Sequence, residues 1–502
     1  MHPYSPASLS PIQLSLLSRP LTAKIFLEGP SGTGKTTAAV ERLLHLLAAG
    51  VSPTSILLLV PYRALLAPYF DAVQRAGVSE QISLLTFAAL TRRMVEWHWS
   101  VIAAEAGFAH PENPPIFLNL EAAQIVMARL VQPLLVEGFF EGVALPRNRL
   151  YTQILDNLNK AAVVRFPLAE IALRLKSACA AESGAARRYD EAQEAASRFR
   201  QYCLQHNLLD FSLQVEAFVR CVWANPTCRA DLAHTYRHIL ADNIEEGAPV
   251  MHDVLADWLP DVDSALLIYD ADAGYRRFLG ADPQSGYALK GSCAESLTFG
   301  ESFTTPQALQ AFGMQWTQSL QATLSHQGSS PRRDFSAGRV EGSDEEEAGG
   351  GVELTRHRFY HEMLDWTAER IARCLAEGTP PRQVAVLAPF MPDYLCFSLT
   401  ERLKRRGIAA VVQRPSRPLG EDPAVRCLLT LARLAHPTWG EPPARPQVAH
   451  AFTFAIAGMD AVRAQLLSEI VYRVRGERPV LTSFERLQAE MRARITSELE
   501  DS

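Results

Sequence analysis

The sequence predicts an α/β protein: a parallel sheet arranged around a glycine-rich loop, interrupted by a helical insertion and followed by the start of a second α/β segment. Three observations predict it. A strand-like run, a glycine-rich loop and an amphipathic stretch follow one another between Lys24 and Gly50. Two apolar runs, Ile56 to Val60 and Ala265 to Tyr269, lack polar alternation, as strands covered on both faces of a parallel sheet do. Between those runs, from about Arg92 to Arg220, apolar residues recur at helical spacing with few strand signals.

The chain is 502 residues long, 48% hydrophobic and 21% charged, an ordinary globular composition that excludes a stapled miniprotein or a fibre. Its length corresponds to roughly two to four domains. A formal charge of −6 argues against a wholly basic nucleic-acid coat but leaves a local basic groove open, because charge acts through its distribution. The eight cysteines form no C-x-x-C pair and no cluster with histidine, which argues against a zinc or iron–sulfur site and for reduced thiols. No charged segment followed by an apolar core opens the chain, and no stretch reaches the ~18–20 apolar residues of a membrane span. The expectation is a cytoplasmic protein without a membrane partner.

Taken in order, Lys24 to Leu27 is the first strand. The helix after the loop carries Val40, Leu43, Leu44 and Leu47 on one face and stops at Gly50. Ile56 to Val60 is the second strand, Arg63 to Ala76 a helix, and Ile82 to Phe87 the third strand, so residues 1–91 read as βαβαβ. Residues 92–220 are the helical insertion. Strand signals return at Tyr236 to Ala241 and Ala265 to Tyr269, which makes 221–324 the second part of the same α/β core. Residues 325–352, rich in Gly, Ser and charge, read as a disordered linker. A second α/β segment, 353–436, is expected from a helix through Glu362 to Ala376, a strand Val384 to Pro389, a helix Tyr394 to Arg406 and a strand Ile408 to Val412. Residues 437–502 read as helical, without a closing strand.

The chemistry begins with Gly29, Pro30, Ser31, Gly32, Thr33, Gly34, Lys35 and Thr36, which fit G-x-x-x-x-G-K-[ST] between a strand and a helix, the context that motif requires. The glycines let backbone N–H groups face phosphate, and the helix N-terminus adds its positive end. Lys35 is placed to reach the β- and γ-phosphates and Thr36 to hold Mg²⁺, with Thr37 next in the stretch. The loop alone does not choose among ATPases, GTPases and kinases; the expectation of ATP with Mg²⁺ as cofactors comes from the motifs around it.

Other motifs follow in a fixed order. Leu9-Ser10-Pro11-Ile12-Gln13 resembles an L-N-x-x-Q element, Val60-Pro61-Tyr62-Arg63 stands after the second strand, and Thr86-Phe87-Ala88-Ala89-Leu90 matches T-F-x-x-L. Leu208 to Phe211 resembles L-D-F, Asp242-Asn243-Ile244-Glu245-Glu246 resembles D-E-x-Q-D, and Asp270 to Asp282 is similar to D-x-x-Q-x-I-Y-x-F-R-G-A-D. Val384 to Pro389 and Glu421 to Val425 resemble the opening of a second motor domain. Together these resemble the UvrD/Rep family of superfamily 1 DNA helicases over most of the chain. The resemblance implies a P-loop NTPase of the RecA-like fold, with the start of a second RecA-like domain. It assigns adenine reading to Gln13, nucleotide or Mg²⁺ contact to Asp242 and Asp270, and DNA contact to Arg63, Thr86, Phe87, Tyr275 and Phe278. Aromatic rings suit that role because stacking on a base is worth roughly 1–3 kcal/mol whatever the sequence.

Several positions depart from the pattern. Asn243 stands where the family has its catalytic glutamate, and an amide cannot accept a proton from water, so Glu245 or Glu246 is the candidate base. Ala273 and Leu279 replace a glutamine and an arginine, and Thr304 falls where N-Y-R-S has its arginine. No counterpart of the last two motifs, which carry the arginine finger, is found, so a finger would come from a protein partner or a missing C-terminal region. The resulting expectation is an ATP-binding, helicase-related protein coupling nucleotide to translocation on single-stranded or partly duplex DNA in repair or recombination. The alternative is a scaffold resembling the AddB subunit, which binds nucleotide or DNA without motor activity. A small-molecule kinase fits neither the motif order nor the second α/β segment.

Overall fold

The computed structural model describes residues 9–483 and 489, except 79–81, 179–184, 327–346, 349–351, 354, 390, 413–421, 440–441 and 476–477. It divides into two compact units, 1–353 and 354–502. The first is built on a six-stranded sheet of β1 (Lys24–Gly29), β2 (Ile56–Val60), β3 (Ser83–Thr86), β4 (His238–Ala241), β5 (Ser264–Asp270) and β6 (Glu295–Thr298). Every pairing is parallel, in the order β3-β2-β4-β5-β1-β6. The register sets Gly29 beside Asp270 and Leu59 beside Ala241, so the residues that end β1, β4 and β5 reach one edge of the sheet together. In open parallel sheets that edge is where ligands bind.

The apolar runs are continuous because both faces are covered. Ile56, Leu58 and Val60 pack under α1 (Pro11–Leu17), α2 (Lys35–Ala48) and α3 (Ala67–Arg75) with Leu16, Leu43 and Tyr69. Leu57 and Leu59 face the other way, into a cluster that includes α4 (Phe87–Trp97) and the helices of the insertion. Each such aliphatic side chain contributes ~1.5–3 kcal/mol on burial. The insertion therefore shares a core with the sheet.

Several expectations are corrected in detail. The third strand ends at Thr86, whose hydroxyl accepts the Ala89 N–H (3.2 Å) and starts α4 at Phe87. The fourth begins at His238, because Tyr236 is the C-cap of the helix Pro226–Thr235. Arg63 to Leu66 is a 3₁₀ turn ahead of α3. The stretch read as a linker, 325–352, lies largely outside the described residues.

In the second unit the helices Tyr360–Ala376 and Asp393–Arg405 form as expected and pack through Leu364, Ala368, Leu395 and Leu399. The strands expected at 384–389 and 408–412 do not form: those residues are irregular and pair with no strand among the described residues. Leu387 and Val411 are 93% and 91% exposed, so the runs lack the two-sided cover that continuous apolarity predicted. The tail is helical only in part, since β7 (Tyr472–Arg475) and β8 (Arg478–Leu481) make an antiparallel pair after the helix Ala461–Val471.

Candidate functional site

The phosphate loop runs from the end of β1 into α2. Gly34 caps α2 with φ of 75°, a left-handed conformation, and a Cβ there would lie 2.3 Å from the Gln13 amide nitrogen. Only glycine serves at that point. Lys35 is buried and donates to the carbonyls of Gly29 (2.7 Å) and Pro30 (2.6 Å), with Asp270 Oδ2 at 3.5 Å. Thr36 Oγ1 donates to Asp242 Oδ2 (3.0 Å), across 206 residues of chain. A cavity of about 580 Å³ opens over this loop, lined by Gln13, Ser31 to Thr37, Asp242, Asn243, Asp270 and Phe303 among others.

Asp242 is buried at the cavity wall. Burial pushes its carboxyl up from the usual range, and donors from Tyr69, Thr36 and the Asn243 backbone oppose that by stabilising the anion. Tyr69 Oη donates to Oδ2 at 2.7 Å and the Asn243 N–H to Oδ1 at 2.9 Å. A hydroxyl and a buried carboxylate on one edge of a loop with inward N–H groups are hard oxygen donors of the kind Mg²⁺ selects, so the residues present fit Mg²⁺ held beside phosphate.

Gln13 reaches the cavity but its amide is already engaged. Oε1 accepts the Ser10 N–H (2.9 Å) while the Gln13 N–H donates to Ser10 Oγ (3.3 Å), a capping box for α1, and Nε2 donates to the Gly34 carbonyl (3.2 Å). The amide expected to read adenine ties α1 to the phosphate loop instead. Arg42 anchors the other end of α1, donating to the carbonyls of Leu17 (3.4 Å), Arg19 (2.7 Å) and Pro20.

The structure keeps both candidate bases out of the cavity. Glu245 is fully buried, its Oε2 accepting the Asp270 N–H (2.9 Å) and its Oε1 the Asn243 side-chain amide (3.0 Å). Burial pushes its carboxyl up to about 7, against the lowering effect of those two donors. Glu246 accepts the N–H groups of Gly274, Tyr275 and Arg276. Neither carboxylate lines the cavity, and Asn243 does.

Of the residues expected on DNA, Tyr275 and Phe278 stand out from a short turn, Tyr275–Leu279, with 77% and 74% exposure. Arg63 is exposed next to Tyr62, and the Arg276 guanidinium lies 4.5 Å from the Tyr62 ring, which links the loop after β2 to that turn. Thr86 and Phe87 do not join them. Thr86 caps α4, and Phe87 is a buried ring set edge-on against Phe218 at 6.0 Å.

Three residues at the site escaped the sequence reading. Tyr69 carried no motif signal, only the general rule that a buried tyrosine needs a partner for its hydroxyl. Phe303 lies in the stretch dismissed for lacking an arginine, yet its N–H donates to the Gly32 carbonyl (2.9 Å) and its ring lines the cavity. Arg42 carried no motif signal either, and its partners lie on the chain before the loop rather than near it in sequence.

The sequence pattern of the UvrD/REP helicase N-terminal domain matches residues 9–285, which contain both the phosphate loop and the aromatic turn. The chain belongs to the UvrD/REP helicase family. It is also similar to proteins named ATP-dependent DNA helicase UvrD2 from Mycobacterium bovis and from two strains of Mycobacterium tuberculosis. Each is 25% identical over 427 residues, covering 81% of this chain and 55% of the relative. The chain thus spans about half the length of the curated relatives it matches. Within the family, the fold around the sheet is the RecA-like one that the motif order implied.

Proposed function

We propose that residues of the first unit bind Mg·ATP at the phosphate loop and single-stranded DNA at the Tyr275–Leu279 turn, as the nucleotide-binding part of a UvrD-like DNA helicase. The observation that carries this is the convergence of Lys35, Thr36 and Asp242 in one cavity on the same sheet edge as the exposed aromatic turn. The backbone of Ser31 to Thr37 and the Lys35 ammonium hold the phosphates. Thr36 and Asp242 would hold Mg²⁺, which would supply positive charge beside the phosphates. Tyr69 and the Asn243 N–H donate to the two oxygens of Asp242 and aim its carboxyl. The Phe303 ring, which meets the cavity beside Gln13 at Gly34, supplies an apolar surface for the base.

The weak link is water activation. Asn243 has no proton-accepting carboxylate, and Glu245, the next one along the chain, is turned away and tied to Asp270. That same observation favours a second reading, a nucleotide- or DNA-binding scaffold comparable to AddB whose chemistry depends on a partner. The experiment is ATP turnover by the chain with and without oligo(dT), with Lys35→Ala as the blank. DNA-stimulated turnover abolished by Lys35→Ala supports the motor. Mg·ATP binding that Lys35→Ala abolishes, without turnover, supports the scaffold. A wild-type chain that binds Mg·ATP no better than the Lys35→Ala variant overturns both.

A further inference from the structure

Glu246 is placed as a mechanical part. Its carboxylate gathers three consecutive backbone N–H groups, from Gly274 (3.0 Å) and Tyr275 (2.9 Å) on Oε1 and from Arg276 (3.0 Å) on Oε2. Three N–H groups converging on one anion form a nest, and bonds to an ionised acceptor are about twice as strong as neutral ones. Those N–H groups open the turn that displays Tyr275 and Phe278. On its other side Glu246 ends the short helical turn Ile244–Glu246, which begins directly after Asn243. The Asn243 N–H is bonded to Asp242, its amide to Glu245, and Glu245 in turn to the Asp270 N–H at the start of the same 270–276 segment. His252 Nε2 meets the Ile244 carbonyl at 2.8 Å and stiffens the piece between. A short, fully bonded path thus runs from the carboxylate in the nucleotide cavity to the exposed aromatic rings.

We propose that Glu246 is a positioning residue that couples the two sites: it transmits the placement of the Asp242–Asn243 loop, set by Mg·nucleotide, to the aromatic turn, and so makes DNA affinity depend on nucleotide state. This rests on the reading that the cavity takes Mg·ATP and the turn takes single-stranded DNA. It also explains why an acidic residue stands here although it cannot reach water in the cavity. Allosteric coupling between such sites is typically of order tenfold in affinity.

The test uses the whole chain, a labelled oligo(dT) and a non-hydrolysable Mg·ATP analogue. In the wild type the analogue changes oligo(dT) affinity by about tenfold. Glu246→Gln, which turns an NH₂ toward a backbone N–H, keeps analogue affinity but reduces that response to less than about twofold, while Glu246→Asp, which retains both acceptor oxygens, restores it. Hydrogen exchange adds a readout that needs no variant: the analogue alone alters protection of the Gly274, Tyr275 and Arg276 amides in the wild type. A Glu246→Gln chain with the wild-type nucleotide response overturns the coupling, as does unchanged exchange at those amides, and either leaves the functional reading standing. A wild-type chain that binds no analogue overturns the functional reading, and the coupling with it.

Discussion

At the scale of single residues, the D-N-I-E-E stretch shows how environment reassigns side chains of one chemical type. Asp242, Glu245 and Glu246 lie within five positions, yet one faces the cavity, one is sealed in the core and one clamps a distant turn. Glu245 has a measurable signature. Its carboxyl is pushed up to about 7 by burial, from 4.5, so the folded chain holds that proton more tightly than the unfolded chain. The stabilisation is complete below about pH 4.5 and is lost as pH rises through about 7, with a cost of order 3 kcal/mol above that. Glu245→Gln is nearly isosteric, and the Asn243 amide can turn over to accept from the new NH₂. Urea unfolding at pH 5 and pH 8 should show the variant gaining on the wild type by about 1–3 kcal/mol across that interval. Parallel pH profiles for the two proteins would show that Glu245 does not titrate there.

At the scale of elements, the recurring device is a loop at a strand end held by side chains from elsewhere. Gln13 and Phe303 grip the phosphate loop from α1 and from the segment after β6. The aromatic turn is bounded by Gly274 and Gly280, and Gly280 has φ of 94° with its α-carbon packed so closely on the helix Arg147–Val164 that a Cβ would sit 2.8 Å from Val163 Cγ2. Gly280→Ala should lower stability by about 1–3 kcal/mol, part from the left-handed backbone and part from the clash. Adding Val163→Ala relieves only the clash, so the double variant should be more stable than the sum of the singles by about 0.5–1 kcal/mol in denaturant unfolding. Strict additivity would mean that the turn does not rest on that helix. Most elements of the first unit were legible because their signals are local: glycine-rich loop, apolar strand, helical spacing. The strands expected at 384–389 and 408–412 were not, because an apolar run becomes a strand only where a neighbour pairs with it, and none does among the described residues.

At the scale of the whole molecule, every residue lining the cavity over the phosphate loop, from Leu9 to Thr304, belongs to the first compact unit, and so does the aromatic turn. Residues 1–353 on their own should therefore bind a fluorescent ATP analogue within about threefold of the full chain's affinity. A loss beyond about tenfold would assign part of the site to residues 354–502. No helix among the described residues is long and apolar enough to cross a membrane.

The sequence by itself determined the phosphate loop, the parallel sheet, the helical insertion and the family, because each is written in contiguous residues whose spacing follows from backbone geometry. Tertiary structure alone decided which side chains serve the site. Tyr69 meets Asp242 across 173 positions and Glu246 meets Tyr275 across 29, while Phe87, inside the T-F-x-x-L motif, is drawn into the core against Phe218. Those outcomes depend on which groups burial leaves needing a partner, and that is settled only when the sheet and helices have closed on one another.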